Sequence, residues 1–186
     1  MRKLKVFNSI TADGYFTDKN NDVSWAHNND PEFNDFVEDN SKSGGVLMFG
    51  RVTYDMMVSF WPTPAAAKAF PEVAKQMNER AKIVFSRTLD SVSWQNTRLM
   101  KGDLLDEVKK LKQEDGEDIV ILGSGSIVAQ LAGEGVIDEY QMVVNPLVLG
   151  AGRTMFEGLK EQLKLKLTES RAFKNGNVLL CYEPRS

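Results

Sequence analysis

The chain has 186 residues, with 23 Lys+Arg against 26 Asp+Glu and a formal charge of −3; 42% of its residues are hydrophobic and 26% charged. That balance is ordinary for one globular domain with enough bulk to bury a core. It excludes an apolar run of the ~20 residues that cross a bilayer and a broadly basic nucleic-acid surface; one Cys (Cys181) and one His (His27) exclude an internal disulfide and an ordinary His/Cys zinc site.

Residues 1–5 lead into alternation rather than an apolar stretch, so no signal peptide is read there. The expectation is a single domain over residues 1–186 in a reducing, cytoplasmic setting, with a small-molecule substrate and no metal, nucleic acid or membrane. Leu4, Val6 and Ile10 alternate with Lys3, Lys5 and Phe7 and predict a first strand. A loop with Asp13-Gly14 and Asn20-Asn21-Asp22 follows. Asp30-Pro31-Glu32 reads as an N-cap, a proline at the first helical position and a first-turn acid, ahead of Phe33, Phe36 and Val37 at helical spacing. Residues 46–49, 82–86 and 118–122 carry continuous apolar runs of the kind that form buried strands.

A helix is predicted after Gly50 with Tyr54, Met57 and Val58 inward, and the Pro- and Ala-rich stretch 61–70 reads as a surface connection. Residues 93–100 read as a further strand, and Asp103 caps a helix carrying Leu104, Leu105, Val108 and Leu111. Gly123-Ser124-Gly125-Ser126 opens a short helix with Ile127, Val128 and Leu131, and 137–144 is the next strand. Residues 163–173 and 177–182 form a hairpin at Asn175-Gly176. Alternation of strands and helices, then strand after strand, predicts a mostly parallel, helix-covered sheet closed by an antiparallel hairpin.

Two strand-to-helix junctions carry the chemistry: Phe49-Gly50-Arg51-Val52-Thr53-Tyr54 and Leu122-Gly123-Ser124-Gly125-Ser126-Ile127. Helix N-termini present unpaired N–H groups and the positive end of the helix dipole, and glycine lets a phosphate approach without meeting a Cβ. Two such ends on one sheet suit a dinucleotide. Taken alone, each junction also fits a plain tight turn, and Val128 stands where the Rossmann fingerprint has its third glycine. Ser86-Arg87-Thr88 at a third strand end suits a monoester phosphate such as the 2′-phosphate of NADP, against a plain solvated loop. Trp25 either walls a substrate pocket or packs; Trp61 faces substrate or a partner subunit; His27 and the Lys109, Lys110, Lys112 group read as solvated, and Cys181 as core.

In chain order, Thr11-Ala12-Asp13-Gly14, Gly50-Arg51-Val52-Thr53-Tyr54, Ile83-Val84-Phe85-Ser86-Arg87, Leu122-Gly123-Ser124-Gly125-Ser126-Ile127, Ile137-Asp138-Glu139-Tyr140 and Asn145-Pro146-Leu147-Val148-Leu149-Gly150-Ala151-Gly152 resemble the dihydrofolate reductase-like superfamily. Within it the chain looks most like stand-alone relatives of the reductase domain at the C-terminus of bacterial riboflavin-biosynthesis deaminase/reductases. The resemblance implies an α/β fold with an eight-stranded, mainly parallel sheet ending in an antiparallel pair. It implies NADPH as hydride donor, a C=N or C=O of a pterin- or pyrimidine-like substrate as acceptor, and a homodimer.

By the same resemblance Gly50, Arg51 and Thr53 hold cofactor phosphates, and Ser86 and Arg87 lie near the adenosine phosphate. Gly123, Ser124, Gly125, Ser126 and Ile127 cradle the pyrophosphate and nicotinamide side. Thr11, Gly14 and Trp25 border the substrate, and Asp13 and Glu32 are the candidate catalytic acids. Glu32 competes with Asp30 and Asp35, because the preceding loop differs in length, and with a plain helix-dipole role. A non-catalytic nucleotide-binding or regulatory module of the same fold is the alternative.

Overall fold

The apolar runs become strands of one sheet. The computed structural model describes residues 1–27 and 30–185. Among these the strands are β1 (Leu4–Thr11), β2 (Tyr15–Thr17), β3 (Val46–Gly50), β4 (Lys82–Phe85), β5 (Thr97–Met100), β6 (Ile119–Leu122), β7 (Glu139–Asn145), β8 (Arg153–Thr154), β9 (Leu165–Ala172) and β10 (Val178–Pro184). The helices are α1 (Pro31–Lys42), α2 (Arg51–Phe60), α3 (Pro64–Ala69), α4 (Pro71–Glu79), α5 (Leu104–Gln113) and α6 (Gly125–Gly133).

The main sheet has eight strands in the order β5-β4-β3-β6-β1-β7-β10-β9. Pairing is parallel from β5 to β7 and antiparallel where β10 meets β7 and β9. Period-two alternation sorts the side chains. Leu4, Val6, Met48, Ile83 and Ile121 point to the face covered by α5 and α6, where Val108, Leu111, Val128 and Leu131 meet them. Leu47, Phe49 and Val84 point to the other face, against Tyr54, Met77 and Trp94. Phe33 of α1 packs with Phe173, Val143, Leu179 and Cys181 over the antiparallel end.

The local reasons are those of the sequence. Asp30 accepts the Phe33 amide at 2.8 Å, capping α1 at the predicted residue. Asp103 accepts from the Leu105 and Asp106 amides and starts α5. The hairpin closes on Phe173 N to Asn177 O at 2.8 Å, around Asn175-Gly176. Three readings are corrected. Stretch 61–70 is not a bare connection: Thr63 accepts the Ala66 amide at 3.2 Å and Pro64 opens α3, with α4 directly behind. The strand expected at 93–100 shortens to β5, because the Ser93 and Trp94 amides turn to the Tyr54 hydroxyl at 2.9 and 3.2 Å and Asn96 sits at φ 57°. Lys112 is not solvated: its Nζ reaches Asp138 Oδ2 at 2.6 Å and Val136 O at 2.7 Å. No helix among the described residues is long and apolar enough to cross a membrane.

Candidate active-site cleft

The parallel strands end in a cleft of about 1010 Å³, beyond the C-terminal edges of β3, β4, β5 and β6. This is where open α/β sheets bind ligands. All ten residues read as cofactor-binding line it: Gly50, Arg51, Thr53, Ser86, Arg87, Gly123, Ser124, Gly125, Ser126 and Ile127.

The α2 and α6 N-termini are hydrogen-bonded into one unit. β3 and β6 are neighbours, so the turns that follow them meet. Ser124 Oγ accepts the Gly50 amide at 2.6 Å, and Ser124 N and Oγ both reach Thr53 Oγ1, at 3.1 and 2.9 Å. Thr53 and Ser124 are 7% and 8% exposed, so these hydroxyls position the two turns rather than stand free in the cleft. Asn8 anchors the unit to β1, its Oδ1 accepting the Gly123 amide at 2.6 Å. Gly123 has φ +63°, and a Cβ there would lie 2.9 Å from Thr53 Cγ2 and Oγ1, so only glycine fits. Neither α2 nor α6 has a side-chain N-cap or an acid in its first turn. Their leading N–H groups and dipoles face the cleft uncompensated.

Three arginines line this half. Arg51 Nη1 is bound to Asp55 Oδ2 at 3.0 Å. Arg87 has no ion-pair partner among the described residues, and Arg153 has only a long contact, 3.5 Å, with Asn21 Oδ1. Ser86 Oγ accepts the Thr88 and Leu89 amides at 3.2 and 3.0 Å, fixing the turn that carries Arg87. Bare helix ends, free guanidinium and the apolar Met100 and Leu104 beside them fit a phosphorylated dinucleotide.

A two-stranded flap, β2 with β8, covers the α6 end. Phe16 of β2 lies against Gly125, where a Cβ would come within 2.7 Å of its ring. Phe16, Thr17 and Arg153 line the cleft from this flap.

The remaining predicted residues lie outside the cleft lining. Thr11, Asp13 and Gly14 do not line the cleft. Thr11 Oγ1 donates to Asp13 Oδ1 at 2.5 Å, and the carboxylate accepts the Gly150 and Leu149 amides at 2.7 and 3.3 Å. The Thr11 hydroxyl and these amides hold the Asp13 carboxyl below its ordinary range. It ties two loops together. Trp25 also lies outside the lining, its Nε1 donating to Asp22 O at 3.2 Å. Glu32 sits off the cleft on α1: its oxygens meet the Lys174 amide and Arg171 Nη2, both at 3.3 Å. Lys174 N–H first, then Arg171, hold its carboxyl below the usual range. Its rivals Asp30 and Asp35 are also outside the lining.

The carboxylates that do line the cleft are Glu38 of α1 and Glu72 of α4. Asn34, Val37 and Glu38 share one helix face, and Glu32 is off that stripe. The spacing of 34, 37 and 38 marks one helix face but does not show that this face meets the cleft. Asn8 was readable, a polar residue on the inward Leu4-Val6-Asn8-Ile10 register. Arg153 carried no signal before β8 was known to pair with β2.

The fold and cleft define a dihydrofolate reductase-like α/β domain. A dihydrofolate reductase from Enterococcus faecalis, solved with NADP(H), superposes with a TM-score of 0.67 at 15% identity, covering 99% of this chain and 97% of that one. The chain belongs to the RibD C-terminal domain family, whose model matches residues 2–179. A Shewanella sp. PV-4 protein whose name places it in riboflavin biosynthesis superposes at 0.76 with 24% identity and 99% of each chain covered. The uncharacterized Bacillus subtilis protein YyaP is 29% identical over 182 residues, 97% of this chain and 94% of that one.

Proposed function

We propose that the protein is an NADPH-dependent reductase that passes a hydride to a C=N or C=O carbon of a small heterocyclic substrate. One observation carries this reading: the α2 and α6 N-termini, both uncapped and acid-free, are locked side by side through Gly50, Ser124 and Thr53. The membership in a reductase-domain family and the dihydrofolate reductase-like fold support it.

In this reading NADPH, when bound, supplies the hydride. The amides that open α2 and α6 hold its phosphates, with Arg51, and Arg87 meets the further phosphate on the adenosine side. Phe16 and the β2–β8 flap exclude water from the α6 end. Apolar Met57 and Phe33 and the aromatic Trp61 orient a flat acceptor across the cleft. Glu38 or Glu72 is placed to pass a proton, directly or through water, to the reduced product. The homodimer belongs to the same proposal: β9 is an edge strand exposed along nearly its whole length, with Leu167 at 49%.

The test is fluorescence titration of NADPH and NADH against wild type, Arg51→Ala and Arg87→Ala. NADPH is expected to bind wild type in the micromolar range and to weaken about tenfold in Arg87→Ala, with NADH little changed. No binding of either nucleotide to wild type ends the reading.

A further inference from the structure

The helices around the cleft are started in two different ways. α2 and α6, toward the β3–β6 side, begin without side-chain caps and without first-turn acids. α1 and α4, on the opposite side, each begin with a proline and carry an acid in the first turn, although α4 has no side-chain cap. α1 has Asp30 on its Phe33 amide, Pro31 at its first position and Glu32 in its first turn. α4 begins Pro71-Glu72, which removes one N–H and sets a carboxylate at its positive end.

The side chains follow the same division. The cationic lining residues, Arg51, Arg87 and Arg153, come from α2, the β4 end and β8, whereas the two lining carboxylates, Glu38 and Glu72, come from α1 and α4, which pack together. Lys42, bound to Glu38 at 2.6 Å and also within electrostatic reach of Glu72, offsets part of both charges but does not line the cleft. Between them stands an aromatic wall: Phe70 has Trp61 at 6.4 Å on one side and His27 at 6.4 Å on the other.

A phosphate ester needs cations or bare amides; among the described residues no Lys or Arg of α1 or α4 lines this half, and the α4 amides left bare after Pro71 sit beside the Glu72 carboxylate. A planar ring meets aromatic faces there, and a positive ring gains from both carboxylates. We propose that the α1–α4 half takes a flat aromatic heterocycle that is neutral or cationic and carries no phosphate. As a statement about the acceptor, this rests on the reductase reading above; as a statement about ligand preference, it rests on the lining alone.

Three acridines of one ring size are the probes: proflavine, cationic at neutral pH; acridine, neutral; and acridine-9-carboxylate, anionic. Binding to the full chain is read by probe fluorescence anisotropy, with and without NADPH, and NADPH binding is measured separately by nicotinamide fluorescence. Proflavine and acridine are expected to bind about tenfold more tightly than the carboxylate, about 1.4 kcal/mol. Glu38→Gln/Glu72→Gln brings the three within about threefold of one another; Glu72→Gln alone, at an exposed position, narrows the gap if the double variant does not fold. Trp61→Leu weakens all three alike. A carboxylate that binds as tightly as proflavine, or a ranking untouched by either acid variant, overturns the proposal. Normal NADPH binding with such a reversed ranking leaves the reductase reading standing; the expected ranking with no NADPH binding removes that reading and keeps the ligand preference.

Discussion

Thr53 Oγ1 accepts two hydrogen bonds from Ser124, one from its amide at 3.1 Å and one from its hydroxyl at 2.9 Å. This pair sits where two adjacent parallel strands give way to helices, and both residues are buried. Thr53→Val keeps the shape and removes the acceptor, leaving two buried donors unpaired. The expected loss is about 2 kcal/mol by urea denaturation, with NADPH affinity falling about tenfold because the turns no longer hold one geometry. Thr53→Ser restores both. An unchanged NADPH titration in Thr53→Val would show that the pair does not position the cofactor turns.

Gly125 sets how closely the flap descends. Gly125→Ala places a Cβ 2.7 Å from Phe16 Cε1 and 3.2 Å from Thr154 O, so the ring must leave. NADPH binding is expected to weaken while thermal stability changes little. Adding Phe16→Ala makes room and lessens the further cost of the alanine, a coupling that a double-mutant cycle reads directly. Strict additivity contradicts the contact.

Glu32 works for stability. Its carboxyl titrates below the ordinary glutamate value of 4.5 in the folded chain, because the Lys174 amide and Arg171 favour the charged form. The unfolded chain therefore binds the extra proton first, and the stabilisation present above about pH 4.5 is lost on acidification. Urea midpoints for wild type and Glu32→Gln should differ at pH 7 and converge toward pH 3. The proposed hydride transfer should survive the substitution.

Lys82 is 1% exposed, its Nζ bonded to the Met77, Asn78 and Arg80 carbonyls at 2.9, 3.0 and 2.6 Å and set 4.6 Å from the Trp94 ring centroid. Burial, and then Arg80, push this ammonium down to about 8 from 10.5. Between those values the folded chain has released a proton that the unfolded chain keeps, so stability rises with pH across that window. Lys82→Met should flatten the rise in the urea midpoint from pH 8 to pH 10; an equal slope in both proteins contradicts it.

Where one residue's neighbours along the chain decide its state, the structure was legible. Asp30-Pro31, Asp103 and Asn175-Gly176 did what their local chemistry dictates, and the apolar runs ending at Gly50 and Leu122 became adjacent strands. The half of the cleft built on Gly50 and Gly123 followed, because strand-Gly-helix junctions are local. The other half did not. Glu38, Glu72 and Phe70 enter the cleft only through the packing of α1 on α4, and Arg153 only through pairing of β8 with β2 across more than a hundred residues. The Asp13 partners were hidden for the same reason: Leu149 and Gly150 are remote in the chain, and a carboxylate beside a glycine turn looks free until they are seen.

The position of β1 in the sheet has a consequence for synthesis. It lies between β6 and β7, and β2 finds its partner only in β8. A ribosome delivers residues 4–17 well before residues 119–154, which supply their strand partners. β1 and β2 thus wait for enclosure until the later half of the domain is made, and a nascent chain stopped short of residue 153 lacks the roof of its own groove.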